Sequence, residues 1–149
     1  MKRKYTKLLA VFVLIACTFF TSNAQEIGVR FGGINGSGGV SADAMFKAGQ
    51  YSRYHADLGL YKNGMGLDIL WDFVNRPLGN EALNWYLGIG PSTYIGNNSW
   101  LGASGEIGLE YRLNAVPIVI GVDWRPTYWL ANKTGFGADS FGINIRIVF

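Results

Sequence analysis

From Gln25 onward, Gly- and Asn-rich punctuation divides the chain into eight segments of alternating apolar and polar residues, and no stretch carries a convincing helical period. A period of two sends successive side chains to opposite faces of an extended strand, so each segment reads as a strand with two unlike faces. The segments fall at 26–32, 40–46, 53–60, 67–73, 85–94, 101–112, 118–125 and 141–149. In the last, Phe141, Ile143, Ile145, Ile147 and Phe149 share a side opposite Gly142, Asn144 and Arg146. Pro91, inside the fifth, marks a bend or bulge. Eight such strands on short connections predict an all-β fold, one closed eight-stranded antiparallel up-and-down barrel over residues 25–149, because closure leaves no sheet edge.

Alternation alone does not say which face is inside. Fourteen titratable residues share the polar faces: Glu26, Arg30, Asp43, Arg53, His55, Asp57, Asp68, Asp72, Glu106, Glu110, Arg112, Asp123, Arg125 and Arg146. Lys47, Lys62 and Lys133, by contrast, fall in predicted turns. A water-facing strand surface uses Lys freely, whereas a confined interior favours Arg, whose planar fork satisfies carboxylates bidentately. Glycines crowd the same faces, among them Gly28, Gly59, Gly66, Gly88, Gly90, Gly108, Gly121 and Gly142. An eight-stranded barrel has just enough interior for side chains to fill. The polar faces therefore point inward as an ion-pair network, and the apolar faces point outward to lipid, which makes the barrel transmembrane. Trp85, Tyr111, Trp124 and Trp129 are assigned to the outer face near strand ends, where interfacial aromatic girdles belong. The alternative is a secreted β-sandwich or lipocalin-like barrel with an oily core.

The first 24 residues read as a secretory signal peptide. Lys2, Arg3, Lys4 and Lys7 form a positive start, 8–20 is apolar, and Ser22-Asn23-Ala24 offers a small-residue cleavage site. Leu14-Ile15-Ala16-Cys17 also has the form of a lipoprotein box, the rival reading of the same stretch. Four of the 13 Lys and Arg lie there, leaving nine against ten acidic residues, so the pI of about 9.1 does not describe the mature chain and nucleic acid is not an expected partner. Cys17 is the single cysteine, and with it gone no disulfide, thiol nucleophile or Cys metal site remains.

Asn63-Gly64 is the preferred pair for a type I′ hairpin. Centred there, the turn pairs Leu60 with Leu67, Leu58 with Ile69, and Ala56 with Trp71. It also makes His55 and Asp72 cross-strand neighbours.

The final strand carries a resemblance. Ser140, Gly142, Ile145, Ile147 and a C-terminal Phe149 fit the polar-x-Gly-x-x-apolar-x-apolar assembly signal of bacterial outer-membrane β-barrel proteins. The whole mature chain resembles their small eight-stranded members, of the OmpX type and the membrane domain of the OmpA type. The resemblance implies an outer-membrane location after export, outer-membrane lipids as surroundings, the barrel assembly machinery as a partner during biogenesis, and a monomer. It is nearly silent on activity. The loops on the inferred outer side, near 34–38, 62–65, 96–99 and 131–139, are short for that class, and the turn over 74–83 is as long as any of them.

Chemistry is sparse. His55 with Asp57, Asp72 or Ser104 has the residue types of a hydrolase or acyltransferase, but an inward-facing imidazole does not meet lipid, and no catalytic residue is assigned. The run GGINGSGG at 32–39 lacks the Lys-Ser/Thr ending of a phosphate loop and leads into a strand. One His without Cys supplies no N/S metal site, and the acidic residues, which in principle hold Ca²⁺, have arginines beside them; no metal or cofactor is expected. The expectation is a non-enzymatic structural or surface barrel; the alternatives are a narrow pore for small solutes or ions and, less favoured, a lipid-modifying enzyme.

Overall fold

The computed structural model describes residues 25–34, 37–132 and 134–149. The signal-peptide and lipoprotein-box readings, the centre of the first loop and Lys133 lie outside the described residues. Ten strands are present: β1 (Glu26–Ile34), β2 (Ser37–Lys47), β3 (Arg53–Tyr61), β4 (Gly64–Leu78), β5 (Asn80–Gly96), β6 (Trp100–Arg112), β7 (Ile118–Trp124), β8 (Thr127–Ala131), β9 (Gly135–Gly137) and β10 (Phe141–Val148). All pairings are antiparallel; they join consecutive strands except that β8 also pairs with β6, β10 pairs with β7, and β1 closes against β10. The ten strands make eight staves. β7 and β8 both pair with β6, in one register on either side of Pro126, which cannot donate to the ladder; β9 and β10 form the last stave beside them. The result is a closed eight-stranded up-and-down barrel.

The burial pattern is inside-out relative to a soluble protein. Along β6 the enclosed residues are Gly102, Ser104, Glu106, Gly108 and Glu110, while Leu101, Ile107, Leu109 and Tyr111 are exposed. The same holds around the barrel: Arg146, Asn144, His55 and Asp72 are wholly enclosed, and Ile143, Ile147 and Phe149 are more than half exposed. A barrel with an oily core, the alternative weighed from the sequence, is not this arrangement.

Glycine on the inner face makes room for long side chains. A Cβ on Gly108 would meet the Tyr86 ring, and one on Gly142 would meet the Arg30 guanidinium. Each of these large groups needs a missing side chain opposite it.

Three local expectations are corrected. The β3–β4 hairpin turns at Lys62-Asn63, so Leu60 pairs with Met65, Leu58 with Leu67, and His55 with Leu70. No residue of this turn has a positive φ, which excludes type I′. Gly64 serves the ladder instead, where its bare Cα lets β5 approach and a Cβ would strike the Ile95 carbonyl and the Gly96 backbone. The shift of two residues preserves every face but changes every partner, and Asp72 stands opposite Arg53.

The long turn expected over 74–83 is instead strand. β4 and β5 run on to a hairpin at Gly79, whose φ of +85° is open to glycine and strained for other residues. Pro91 does not displace the register, since Asp68↔Ser92 and Trp71↔Ile89 belong to one alignment; the irregularities fall between Asp72 and Val74 and between Pro77 and Leu78.

Candidate functional site: the enclosed polar interior

The inner face is stacked in layers between two unlike ends. At the end carrying the β3–β4 and β5–β6 turns, four aromatic residues fill the bore. Tyr94 and Trp129 are buried, with Tyr61 and Trp100 packed against them. Their ring centroids are 6.2 Å apart for Tyr61–Tyr94, 5.2 Å for Tyr94–Trp100 and 5.6 Å for Trp100–Trp129. Trp129 thus belongs to the interior and not to an outer girdle. The alternation of Asp123 and Arg125 continues through Pro126, so Thr127 and Trp129 point in while Tyr128 and Leu130 point out. That phase was present in the sequence and hidden by the proline. Below the rings, the Ser92, Ser104 and Thr127 hydroxyls form a chain with contacts of 2.6 and 2.5 Å.

Next come the charges. Of the fourteen titratable residues assigned to the polar faces, thirteen are buried; Arg112 is half-exposed at the rim. Arg30 on β1 clamps Asp123 on β7 through Nε, 3.0 Å from both carboxylate oxygens, and Nη2, and Asn144 donates to the same carboxylate at 3.0 Å. Arg125 spans the bore. It donates through Nε to Glu106 at 2.8 Å and through Nη1 to Asp57 and, at 3.4 Å, to Asp68 on the far wall.

At the other end of this network, Arg146 reaches Glu26 at 2.8 Å, Asp43 at 3.3 Å and Glu110 at 2.5 Å. Arg53 joins Asp72 at 2.8 Å to Glu110 at 2.9 Å and lies over the Tyr86 ring, 4.6 Å from its centroid. Arg112 closes the rim on Glu26 at 3.0 Å. Of these pairs, Arg30–Asp123, Arg125–Asp57, Arg53–Glu110, Arg146–Glu110 and Arg112–Glu26 join staves that are not neighbours in the sheet, which is what the fork of Arg allows and an apolar filler of the same bore would not.

His55 sits at the centre. Its Nδ1 is 2.8 Å from Glu106, its Nε2 is 2.8 Å from Asp43 and 3.2 Å from Asp57, and the Arg125 Nη2 lies against the ring. Asp72 is close by, and one ring nitrogen of His55 and single oxygens of Asp72 and Glu106 lie within 4.8 Å of one another. His55 and Asp72 are therefore diagonal neighbours on the inner face of β3 and β4, although the hairpin register does not pair them directly. The Asp57 Oδ1 and Asp72 Oδ1 atoms are buried with no hydrogen-bond donor.

Beyond Arg53 and Arg112 the interior opens into a cavity of about 260 Å³, lined among others by Gln25, Lys47, Gln50, Asn75 and Asn84. The start of β1 and the end of β10 meet at this mouth, where the Phe149 N–H donates to the Gln25 carbonyl at 3.0 Å. Ile145, Ile147 and Phe149 face outward, Gly142 lies under Arg30, and the Ser140 hydroxyl donates to the Gly33 carbonyl at 2.5 Å.

Neither a protein-family model nor a curated protein sequence matches the chain. In three dimensions it is similar to the crystal structure of the N-terminal β-barrel domain of Pseudomonas aeruginosa OprF, with a TM-score of 0.64 over 85% of this chain and 99% of that one, at 13% identity. The fold is shared. At that identity the likeness concerns architecture, and none of the charged pairs above is carried over from it.

The interior residues that sequence reasoning did not single out include Met45, Leu70, Ser92, Tyr94, Val119 and Thr127. Period-two phase places each of them inward. Met45, Leu70 and Val119 drew no notice because an apolar residue on a polar face looks like noise in an alternating pattern.

Proposed function

We propose that this chain is a non-enzymatic integral outer-membrane β-barrel protein with a structural or surface role in the cell envelope, exported by its signal peptide and inserted as a monomer. The observation that carries the reading is the exposed apolar belt. Phe31, Tyr54, Leu58, Ile69, Trp71, Ile89, Ile107, Val122 and Ile145 are all more than two-fifths exposed, on every part of the circumference. Monomeric soluble proteins do not present a contiguous apolar surface of that extent, whereas a bilayer requires one.

A pore is the less favoured reading. The aromatic layer, the hydroxyl chain and the arginines that bridge the bore argue against conduction, because such pairs resist separation when an unpartnered buried ion is costly. Lipid chemistry at His55 is also disfavoured. The imidazole is fully enclosed and engaged by carboxylates on both nitrogens, out of reach of an acyl chain in the bilayer. On this reading strand β10 with Phe149 is the segment presented to the assembly machinery, by adding to an exposed strand edge.

Membrane fractionation combined with heat-modifiable migration on a gel tests location and closure together. The expected result is recovery in the outer membrane and a faster-migrating unheated form. A freely soluble monomer without detergent would refute the reading, and reproducible channels in a planar bilayer would replace it by the pore.

A further inference from the structure

The enclosed charges do not balance. Among the described residues, eight buried carboxylates face four buried guanidiniums and Arg112 at the rim. With His55 neutral the surplus is three negative charges, and even an imidazolium leaves two. A charge enclosed without compensation is among the most expensive features a fold can hold, so the surplus calls for a cation or protons.

The surplus is concentrated around one ring. His55 has Asp43 and Asp57 against Nε2 and Glu106 against Nδ1, with Asp72 beside Glu106. The Asp72 and Glu106 carboxyl groups are within hydrogen-bonding reach of each other, a contact that needs a proton or a cation between them, and Asp72 Oδ1, fully enclosed, lacks a donor. With the Nε2 hydrogen donated to Asp43, the Nδ1 lone pair faces Glu106 and Asp72 and is available to a cation between them. A carboxylate behind an imidazole is the usual outer-sphere partner of a metal-binding histidine.

We propose that His55 Nδ1, Glu106 Oε1 and Asp72 Oδ1 form a binding site for one divalent first-row transition-metal ion, taken up as the barrel closes. One imidazole and two carboxylates are a donor set suited to Zn²⁺ or Mn²⁺. A dication at this point cancels two of the three surplus charges. Metal–ligand bonds of about 2.0–2.2 Å require the 2.8 Å Nδ1–Oε1 separation to widen by about half an ångström, a side-chain adjustment. The aromatic layer closes one route to the site and the Arg53–Glu110–Arg146 bridge closes the other, so loading accompanies folding.

The test is refolding of the full chain from denaturant into detergent with Co²⁺, with Zn²⁺ or with EDTA, followed by desalting and metal analysis. The expected result is about one equivalent retained, visible d–d bands for the cobalt form, and no stripping by EDTA added after folding. Asp72→Asn, which keeps an oxygen for Arg53, lowers retention at least tenfold, and Asp68→Asn leaves it unchanged. If Asp72→Asn gives no heat-modifiable barrel, Glu106→Gln carries the same expectation. Equal retention by wild type and a folded Asp72→Asn or Glu106→Gln barrel overturns the proposal. So does a buried carboxylic-acid C=O band in wild type refolded with metal that vanishes in Asp72→Asn, since that assigns the gap to a shared proton.

Discussion

The ring of Tyr86 on β5 occupies the space that a side chain at Gly108, its cross-strand partner on β6, would need. Tyr86 is wholly buried and supports the Arg53 guanidinium, so it has nowhere to retreat. Gly108→Ala is therefore expected to destabilise the barrel by about 1–3 kcal/mol, the usual range for overpacking. Gly38→Ala, where a Cβ meets nothing within 4 Å, should be close to neutral. Urea unfolding in detergent, followed by loss of the heat-modifiable form, measures both. Equal tolerance at the two sites would contradict the packing described.

The Arg30–Asp123 clamp should behave as a unit. Removing one partner, as in Arg30→Met, strands a buried carboxylate and is expected to cost about 3–5 kcal/mol. The double variant Arg30→Met/Asp123→Leu removes both charges and should recover most of that loss. A double-mutant cycle in which the two effects simply add would show that the clamp is not coupled.

Outward position is the premise of the membrane reading, and Ile107 tests it. It is 44% exposed, at mid-height of β6 between Leu87 and Trp124. Ile107→Arg should cost about 2–4 kcal/mol of folding stability in lipid vesicles, as for charge near a bilayer midplane. An unchanged vesicle-folding titration would place this face in water.

The corrected hairpin register can be read by cross-linking. Leu60 and Met65 are opposed and both outward, so Leu60→Cys/Met65→Cys places two thiols at cross-strand distance in a segment without native cysteine. Oxidation should close this pair and leave Leu60→Cys/Leu67→Cys open. The reverse preference, seen on non-reducing gels, would restore a turn at Asn63-Gly64.

Trp129 closes the bore at the turn end through contacts with Trp100 and is almost fully buried. Trp129→Ala is expected to cost about 3–5 kcal/mol, as for large-to-small changes in a core. Trp85→Ala, at a half-buried site, should cost less. Acrylamide quenching of the two single-Trp proteins retaining only Trp129 or only Trp85 should find Trp129 the better shielded; equal quenching would return it to the outer surface.

Much of the architecture was legible along the chain, and the failures share a cause. The sorting of Glu106 and Ile107, or of Asn144 and Ile145, to opposite faces follows from a period of two, which any extended strand imposes locally. Asn63-Gly64 misled because a glycine can serve a turn or a close strand approach, and only the presence of β5 beside Gly64 selects the second. Residues 74–83 looked like a loop because Asn75, Pro77, Gly79 and Asn80 are poor strand formers, yet pairing between β4 and β5 outweighs that preference. Trp129 was assigned by its residue type when its phase pointed the other way.

The order of residues by itself determined eight two-faced strands, the choice of Arg over Lys on one face, and glycine wherever that face is crowded. These are properties of neighbours one or two positions apart. Which carboxylate each arginine meets was decided only by closure, because Arg125 finds Asp57 and Asp68, and Arg53 finds Glu110, across a bore that exists only once the first and last strands pair. The ring of carboxylates around His55 belongs to that same closed state: its members come from four strands, and no local pattern could bring them together.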